Sequence, residues 1–165
     1  MQKKGIVIAA LIAAAVASGV YFGVGSRTAV PALAAGFGIW ESEIIIDEAV
    51  PGATGTVPVT IINGQDRART FVVTLEQPSA NKTTNGYTPV LEESKGWVTL
   101  PVGPIHIEAG EHHSLSLPFR VPYSSTVPVG TKMEARLRVT EIGHGGLVSL
   151  AIEAKWFIIV TAAGP

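Results

Sequence analysis

Four histidines are the side chains of this 165-residue chain best suited to chemistry. His106, His112 and His113 lie close together with Glu108 and Glu111 between them, and His144 follows in a glycine-rich turn. Imidazole nitrogens beside a carboxylate are a donor set that zinc or copper accepts. The spacing works against a shared ion. Adjacent side chains on a strand point to opposite faces, so His112 and His113 reach one metal only across a bulge. These three are weak metal candidates, His144 needs only solvent, and no cofactor is expected.

The other reactive groups are no better placed. Ser124 and Ser125 follow Tyr123 in a proline-flanked stretch without a positioned base, and they read as turn formers. Glu92-Glu93 reads as a solvated charge pair. No nucleophile elbow, phosphate loop or paired histidine–glutamate helix motif occurs. With no cysteine there is no thiol nucleophile, no Cys-ligated metal and no disulfide framework. Twelve basic against 13 acidic residues create no basic field for nucleic acid. The sequence therefore predicts a protein that is not an enzyme and works by contact.

The element that positions everything else is at the N-terminus. From Gly5 to Ser26, 22 consecutive residues carry no charge, and much of the mean hydropathy of +0.36 comes from them. As a helix they span about 33 Å, enough for a hydrocarbon core of about 30 Å. Lys3 and Lys4 precede the run and only Arg27 follows closely, which places the N-terminus in the cytoplasm and the remainder outside. The three also hide an asymmetry, since the residues after them hold 9 basic against 13 acidic side chains.

Residues 1–27 are thus expected as a transmembrane helix, with residues 5–26 in contact with membrane lipid. Ala15, Gly19 and Gly23 recur every fourth position, a stripe that lets two helices approach closely and predicts a protein partner or self-association. Residues 28–38 hold Ala, Gly, Val and Pro with no charge and predict a short tether. An alternative reading cuts the chain after Ala34, because Ala32-Leu33-Ala34 has the small-x-small pattern of a signal peptidase site. That product is a secreted ligand- or glycan-binding module.

Residues 39–163 change character, with apolar residues at every second position and frequent turn residues. Ser114–Val121, Met133–Thr140 and Val148–Thr161 alternate most strictly. Ile39–Asp47, Thr54–Asn63 and Arg69–Glu76 follow, with shorter candidates at Trp97–Leu100 and Ile105–Glu108. Pro51-Gly52, Asn63-Gly64, Asn85-Gly86, Ala109-Gly110 and His144-Gly145-Gly146 supply turn positions with φ > 0. An antiparallel β-sandwich of seven or eight strands is expected, with Trp156 in its core. Phe157 and Ile159 fall on the nominally outer face of the last strand, and burial on both sides is the favoured reading over an apolar strip offered to a partner.

The irregular segment Gln77–Ser94 contains Asn81-Lys82-Thr83, an N-glycosylation acceptor pattern that makes Asn81 a candidate modification site. A polar loop of this length on a rigid scaffold is also a usual place for binding function.

Two resemblances add to these readings. Pro51-Gly52, the apolar Val57, Val59 and Ile61 and then Asn63-Gly64 resemble the opening of Ig-like modules of the CARDB and major-sperm-protein type. Trp97, the strand Ile105–Ile107, Ala109-Gly110-Glu111, Leu115–Arg120, Val121-Pro122 and Val129-Gly130 are similar to their second half. The resemblance covers residues 48–141 and implies an Ig-like sandwich that serves as an extracytoplasmic spacer, adhesion module or assembly subunit.

At the N-terminus, Lys3-Lys4-Gly5 before Ile6 resembles the leader of type IV pilin-like precursors, especially the archaeal class with archaellins and adhesive pilins. This implies a cut after Gly5 and a helix packed into a filament core. Ala10 stands where bacterial pilins carry glutamate, so the archaeal class is the one implied. The layout is also similar to a membrane-anchored archaellum accessory protein with a β-sandwich outside. The main expectation is a membrane-anchored extracytoplasmic Ig-like protein with a structural or protein–protein interaction role in a cell-envelope assembly or membrane complex. The alternatives are a filament subunit or archaellum accessory, and the secreted module.

Overall fold

The computed structural model describes residues 24–25, 32–34, 36–143 and 150–162. Strict alternation sets the long strands. β5 (Thr54–Asn63) buries Val57, Val59, Ile61 and Asn63, and β9 (His112–Arg120) buries Leu117 and Phe119 while its serines face water. β10 (Lys132–Glu141) and β11 (Ala151–Ile159) send Met133, Ala135, Leu137 and Val139, and Ile152, Ala154, Trp156 and Ile158, to the same interior. β-branched side chains at every second position suit a pleated, half-buried strand.

Two sheets result. One has the order β1 (Val24–Gly25), β4 (Glu43–Ile46), β11, β10, β6 (Arg69–Glu76) and β8 (Ile105–Ile107), with β7 (Thr88–Pro89) added to β10 beyond the end of β6. The second has the order β2 (Ala32–Ala34), β3 (Phe37–Ile39), β5 and β9. Pairing is antiparallel except between β4 and β11 and between β7 and β10. The sheets face each other across one apolar core, where the rings of Phe37 and Phe71, one from each sheet, meet at 5.4 Å. The expected sandwich is the fold found, with 11 strands among the described residues instead of seven or eight.

Most of the extra strands come from the N-terminal part, with β7 added from the segment after β6, whereas the strand expected over Trp97–Leu100 is reduced to an isolated bridge between Val98 and Phe119. The segment expected as a tether contributes Ala32–Ala34 and Phe37–Gly38 to the second sheet, and Val24–Gly25, the end of the expected helix, pairs with Ile45 and Ile46. Gly5, Ala15, Gly19 and Gly23 lie outside the described residues, as does His144. Among the described residues, no helix is long and apolar enough to cross a membrane.

The strand expected over Ile39–Asp47 is divided by a change of sheet. Phe37 and Ile39 point inward from the second sheet, and Ile44 and Ile46 point inward from the first. Crossing at Trp40–Ser42 keeps both pairs in the core. Where β3 leaves β5, the Glu41 carboxylate replaces it and accepts the Thr60 N–H at 2.7 Å. A backbone donor is thereby kept satisfied, as partly buried amides require.

The segment after β6 folds back over the outer face of the first sheet. Its Tyr87 ring lies 4.7 Å from Phe157, which is only 6% exposed, so the burial expected for Phe157 holds and Ile159 is half-buried. Beside them Glu134, fully buried and directly across from Phe157, accepts the Thr84 N–H at 2.6 Å and pairs with Arg136 at 2.6 Å. Arg136 also donates to the Lys82 carbonyl at 2.9 Å. The loop is held by a charged clamp as well as an aromatic contact.

Asn63-Gly64 differs from its expected role. Gly64 does not have positive φ; a Cβ there would stand 2.9 Å from the Gly36 carbonyl oxygen, so close approach selects glycine. Asn63 is buried and donates to the carbonyls of Arg67, Ile107 and Glu108 at 2.9, 3.1 and 3.0 Å. One side chain thus ties three segments at this end of the sandwich.

Candidate interaction surface

The chemistry-bearing residues of the sequence do not come together. His106 projects outward from β8 in the first sheet, with Nδ1 3.2 Å from Thr70 Oγ1 and Nε2 3.4 Å from Glu108. His112 and His113 begin β9 in the second sheet, on opposite faces. The turn between β8 and β9 carries the chain from one sheet to the other and so separates the candidate ligands. Among the described residues, no three His, Asp or Glu side chains converge on a metal-sized space. Ser124 is exposed and the Ser125 hydroxyl accepts the Val127 N–H at 3.3 Å, a turn arrangement. Glu92 pairs with Lys95 in the short helix α1 (Glu92–Lys95).

Asn81 is exposed within a 3-10 turn (Ala80–Lys82), and the Thr83 hydroxyl donates to the Ala80 carbonyl at 2.9 Å. Ala34 ends β2, paired with Phe37.

A different surface is organised by β9. The Asn63 N–H donates to the Glu111 carbonyl at 2.8 Å, which fixes the phase of the ladder between β5 and β9. Odd-numbered β9 residues then exchange hydrogen bonds with β5, and the backbone groups of His112, Ser114, Ser116, Pro118 and Arg120 point away from it. At the far end this outward row is covered, because Arg120 N–H donates to Trp97 at 2.7 Å and Thr99 N–H to Pro118 at 2.8 Å. From His112 to Ser116, no strand among the described residues pairs with it. An uncovered edge of this kind presents backbone donors and acceptors in register for another strand.

The outer face of the same sheet carries a groove of about 280 Å³ lined by Trp40, Thr60, Ile62, Gly110, Glu111, His112 and Ser114. Inward placement of Phe37 and Ile39 turns Trp40 outward, where it is 54% exposed, whereas Trp97 and Trp156 are 3% and 0% exposed. The Trp40 N–H donates to Thr60 at 2.9 Å, and Thr60 stands opposite Ser114 with their hydroxyl oxygens 3.4 Å apart. The indole, the hydroxyl pair and the β9 side chains thus form one row that runs from the end of β3 across β5 to β9. The phase of Phe37 and Ile39 was the sequence signal for an outward Trp40.

No protein-family model matches the sequence, and no curated protein matches it. Among solved structures, the fold is similar to the ASH/PapD-like domain of human CEP192, with TM-score 0.53, 10% identity and coverage of 84% of this chain and 99% of that one. It is also similar to the periplasmic chaperone SfaE, with TM-score 0.50, 9% identity and coverage of 79% and 61%. The E. coli chaperone DraB follows at TM-score 0.49 and 12% identity, covering 74% and 53%. The chain spans about half to three fifths of the length of these two chaperones. The likeness defines the class by fold: an Ig-like β-sandwich whose neighbours are PapD-like domains.

Proposed function

We propose that this protein is a membrane-anchored, extracytoplasmic Ig-like module that acts by protein–protein contact in a cell-envelope assembly. The observation that carries the reading is the uncovered β9 edge from His112 to Ser116. Among the described residues, the outermost strands at the other margins, β1, β8 and β2, have only two or three residues and offer little to pair with; β5 over Thr54–Val59 on its β3 side and β6 over Val72–Glu76 beyond β8 are also unpaired, the former interrupted by Pro58. A partner strand gains main-chain hydrogen bonds at β9 and is selected by the side chains that flank it. The neighbouring structures support the reading through the periplasmic chaperone SfaE, as a likeness of fold.

The anchor rests on the uncharged run Gly5–Ser26 behind Lys3 and Lys4. On the alternative reading as a filament subunit or archaellum accessory, the same run, with its Ala15, Gly19 and Gly23 stripe, enters a polymer core. The N-terminal residue of the mature protein separates the readings: Met1 supports the anchor, Ile6 the filament and Ala35 a secreted module.

Because the chain has no cysteine, a single introduced thiol reports accessibility cleanly. Ser116→Cys in the full chain is expected to react with an impermeant maleimide once the protein is purified in detergent, and to be shielded in native membranes. Equal labelling in both settings removes the edge from the proposal. Complete protection in intact cells together with full labelling in inverted vesicles overturns the extracytoplasmic placement.

A further inference from the structure

The groove beside Trp40 is a feature that the strand-pairing role does not use. It lies on the face of the sheet, whereas an added strand would lie beside β9. Its lining is mixed in a definite way. One wall is the half-exposed Trp40, Ile62 adds an aliphatic residue, Thr60, His112 and Ser114 share the same outward phase, and Gly110 and Glu111 close the end.

These groups select among ligand classes. Among the described residues no lysine or arginine lines the groove, and the nearby Glu111 is acidic, so phosphate, sulfate and carboxylate ligands are disfavoured. The apolar part is one ring and one aliphatic side chain, too little for a lipid tail. A flat aromatic plate beside closely spaced hydrogen-bonding groups fits a neutral ring with an apolar face and a rim of hydroxyls. That is a saccharide pyranose. The volume of about 280 Å³ is near the lower limit of ligand sites, which begin at about 300 Å³, and suits one or two sugar rings. Backbone support makes the plate firm: the Trp40 N–H is held by Thr60, whose own N–H is held by Glu41. These bonds fix the backbone on which the indole stands.

We infer that this groove is a saccharide-binding site, with Trp40 as the stacking platform and Thr60, His112 and Ser114 as the polar rim. The same ring chemistry has two sources, a free sugar or the residues of an envelope polysaccharide, and the assay separates them.

Trp40 itself is the probe, since the other two tryptophans are buried. The full chain is held in a detergent without a sugar headgroup, because maltosides and glucosides would compete. Glucose, galactose and N-acetylglucosamine are titrated in the millimolar range while tryptophan emission and its quenching by acrylamide are followed. In parallel, cosedimentation is measured with insoluble cellulose, chitin and peptidoglycan. The expected result is protection of the quenchable emission by at least one sugar, or retention on at least one polymer. Either should weaken about tenfold or more in Trp40→Ala, the scale of a lost aromatic contact.

Ser114→Arg provides a second variant, filling the groove from an exposed position and abolishing the same binding if Trp40→Ala perturbs folding. The near-ultraviolet signal of Trp97 and Trp156 checks the fold in both. Retention on polymer alone assigns the site to the polysaccharide, and protection by free sugar alone assigns it to soluble saccharide. Absence of both effects, binding that persists in both variants, or protection by an extended peptide mixture but by no saccharide overturns the inference.

Discussion

Glu134 is the residue whose removal tests the architecture most directly. It is fully buried, yet it sits on the outer face of the first sheet, where the loop after β6 docks on it through Thr84. Its carboxylate holds the Thr84 N–H and pairs with Arg136, whose side chain is 16% exposed. Glu134→Ala leaves the Thr84 amide without its acceptor, leaves the Arg136 guanidinium with the Lys82 carbonyl but without its counter-charge, and opens a void beside Phe157. Removing one partner of a buried pair costs about 3–5 kcal/mol, and the partial exposure of Arg136 puts the expected loss at the lower end, about 3 kcal/mol. With a urea slope of about 2 kcal/mol/M, the unfolding midpoint falls by about 1.5 M.

The loss should also be local. In limited proteolysis under native conditions, cleavage between Gln77 and Val90 should precede global unfolding in the variant and not in the parent. Tyr87→Ala is expected to weaken the same loop, and the two substitutions together should be non-additive because they act on one docked segment. A stability loss below about 1 kcal/mol in Glu134→Ala, a midpoint shift of about 0.5 M, with no faster cleavage, would refute the clamp.

Further outcomes follow from other contacts. Asn63→Ala removes a side chain that serves three carbonyls and is expected to cost about 2–3 kcal/mol, read from the same urea transition. Gly64→Ala places a methyl group 2.9 Å from the Gly36 carbonyl and should lower the stability by at least about 1 kcal/mol, the scale of core overpacking, whereas Gly86→Ala, with open space around it, should cost only its backbone strain of about 1 kcal/mol. Gly52→Ala, at φ +87, would bring a Cβ to 2.2 Å from the Tyr123 ring and must displace it, which iodination of exposed tyrosines would detect as a change at Tyr123. Asp66→Cys, in the turn after β5, should be labelled by an impermeant maleimide in intact cells if the β-domain is extracytoplasmic, and complete protection would reject that placement.

The long strands were legible because each strictly alternates apolar and polar residues, as Leu115, Leu117 and Phe119 do against Ser114, Ser116 and Pro118. Trp156 followed from the same rule and is fully buried. The first two strands were not legible, and the third and fourth were merged into one candidate over Ile39–Asp47, for three reasons. Ala32–Ala34 lacks polar alternation, Val24–Gly25 lies in an apolar run that also suits a helix, and the crossing at Trp40–Ser42 joins two inward phases that a continuous pattern conceals. Glycine choice was half visible, since Gly52, Gly86 and Gly110 adopt positive φ as their neighbours suggested, but the reason for Gly64 lies in a carbonyl distant in sequence. The interaction surface was least visible, because an uncovered edge depends on which strands fail to pair. The histidines attracted chemical interest through proximity in sequence that the change of sheet between β8 and β9 undoes.

The loop laid across Phe157 and Glu134 has a further effect on how the molecule meets its surroundings. A two-sheet sandwich without it would offer two broad faces of similar kind, and copies or partners would have two nearly equivalent ways to stack. Here the middle of one face is roofed by the chain itself, while the opposite face keeps its groove and its uncovered margin. The module is therefore polar in the geometric sense, with a closed back and an open front. A series of such modules meeting partners through the front inherits a direction from the fold, and Tyr87→Ala, by loosening the roof, should blur that distinction before it threatens the core.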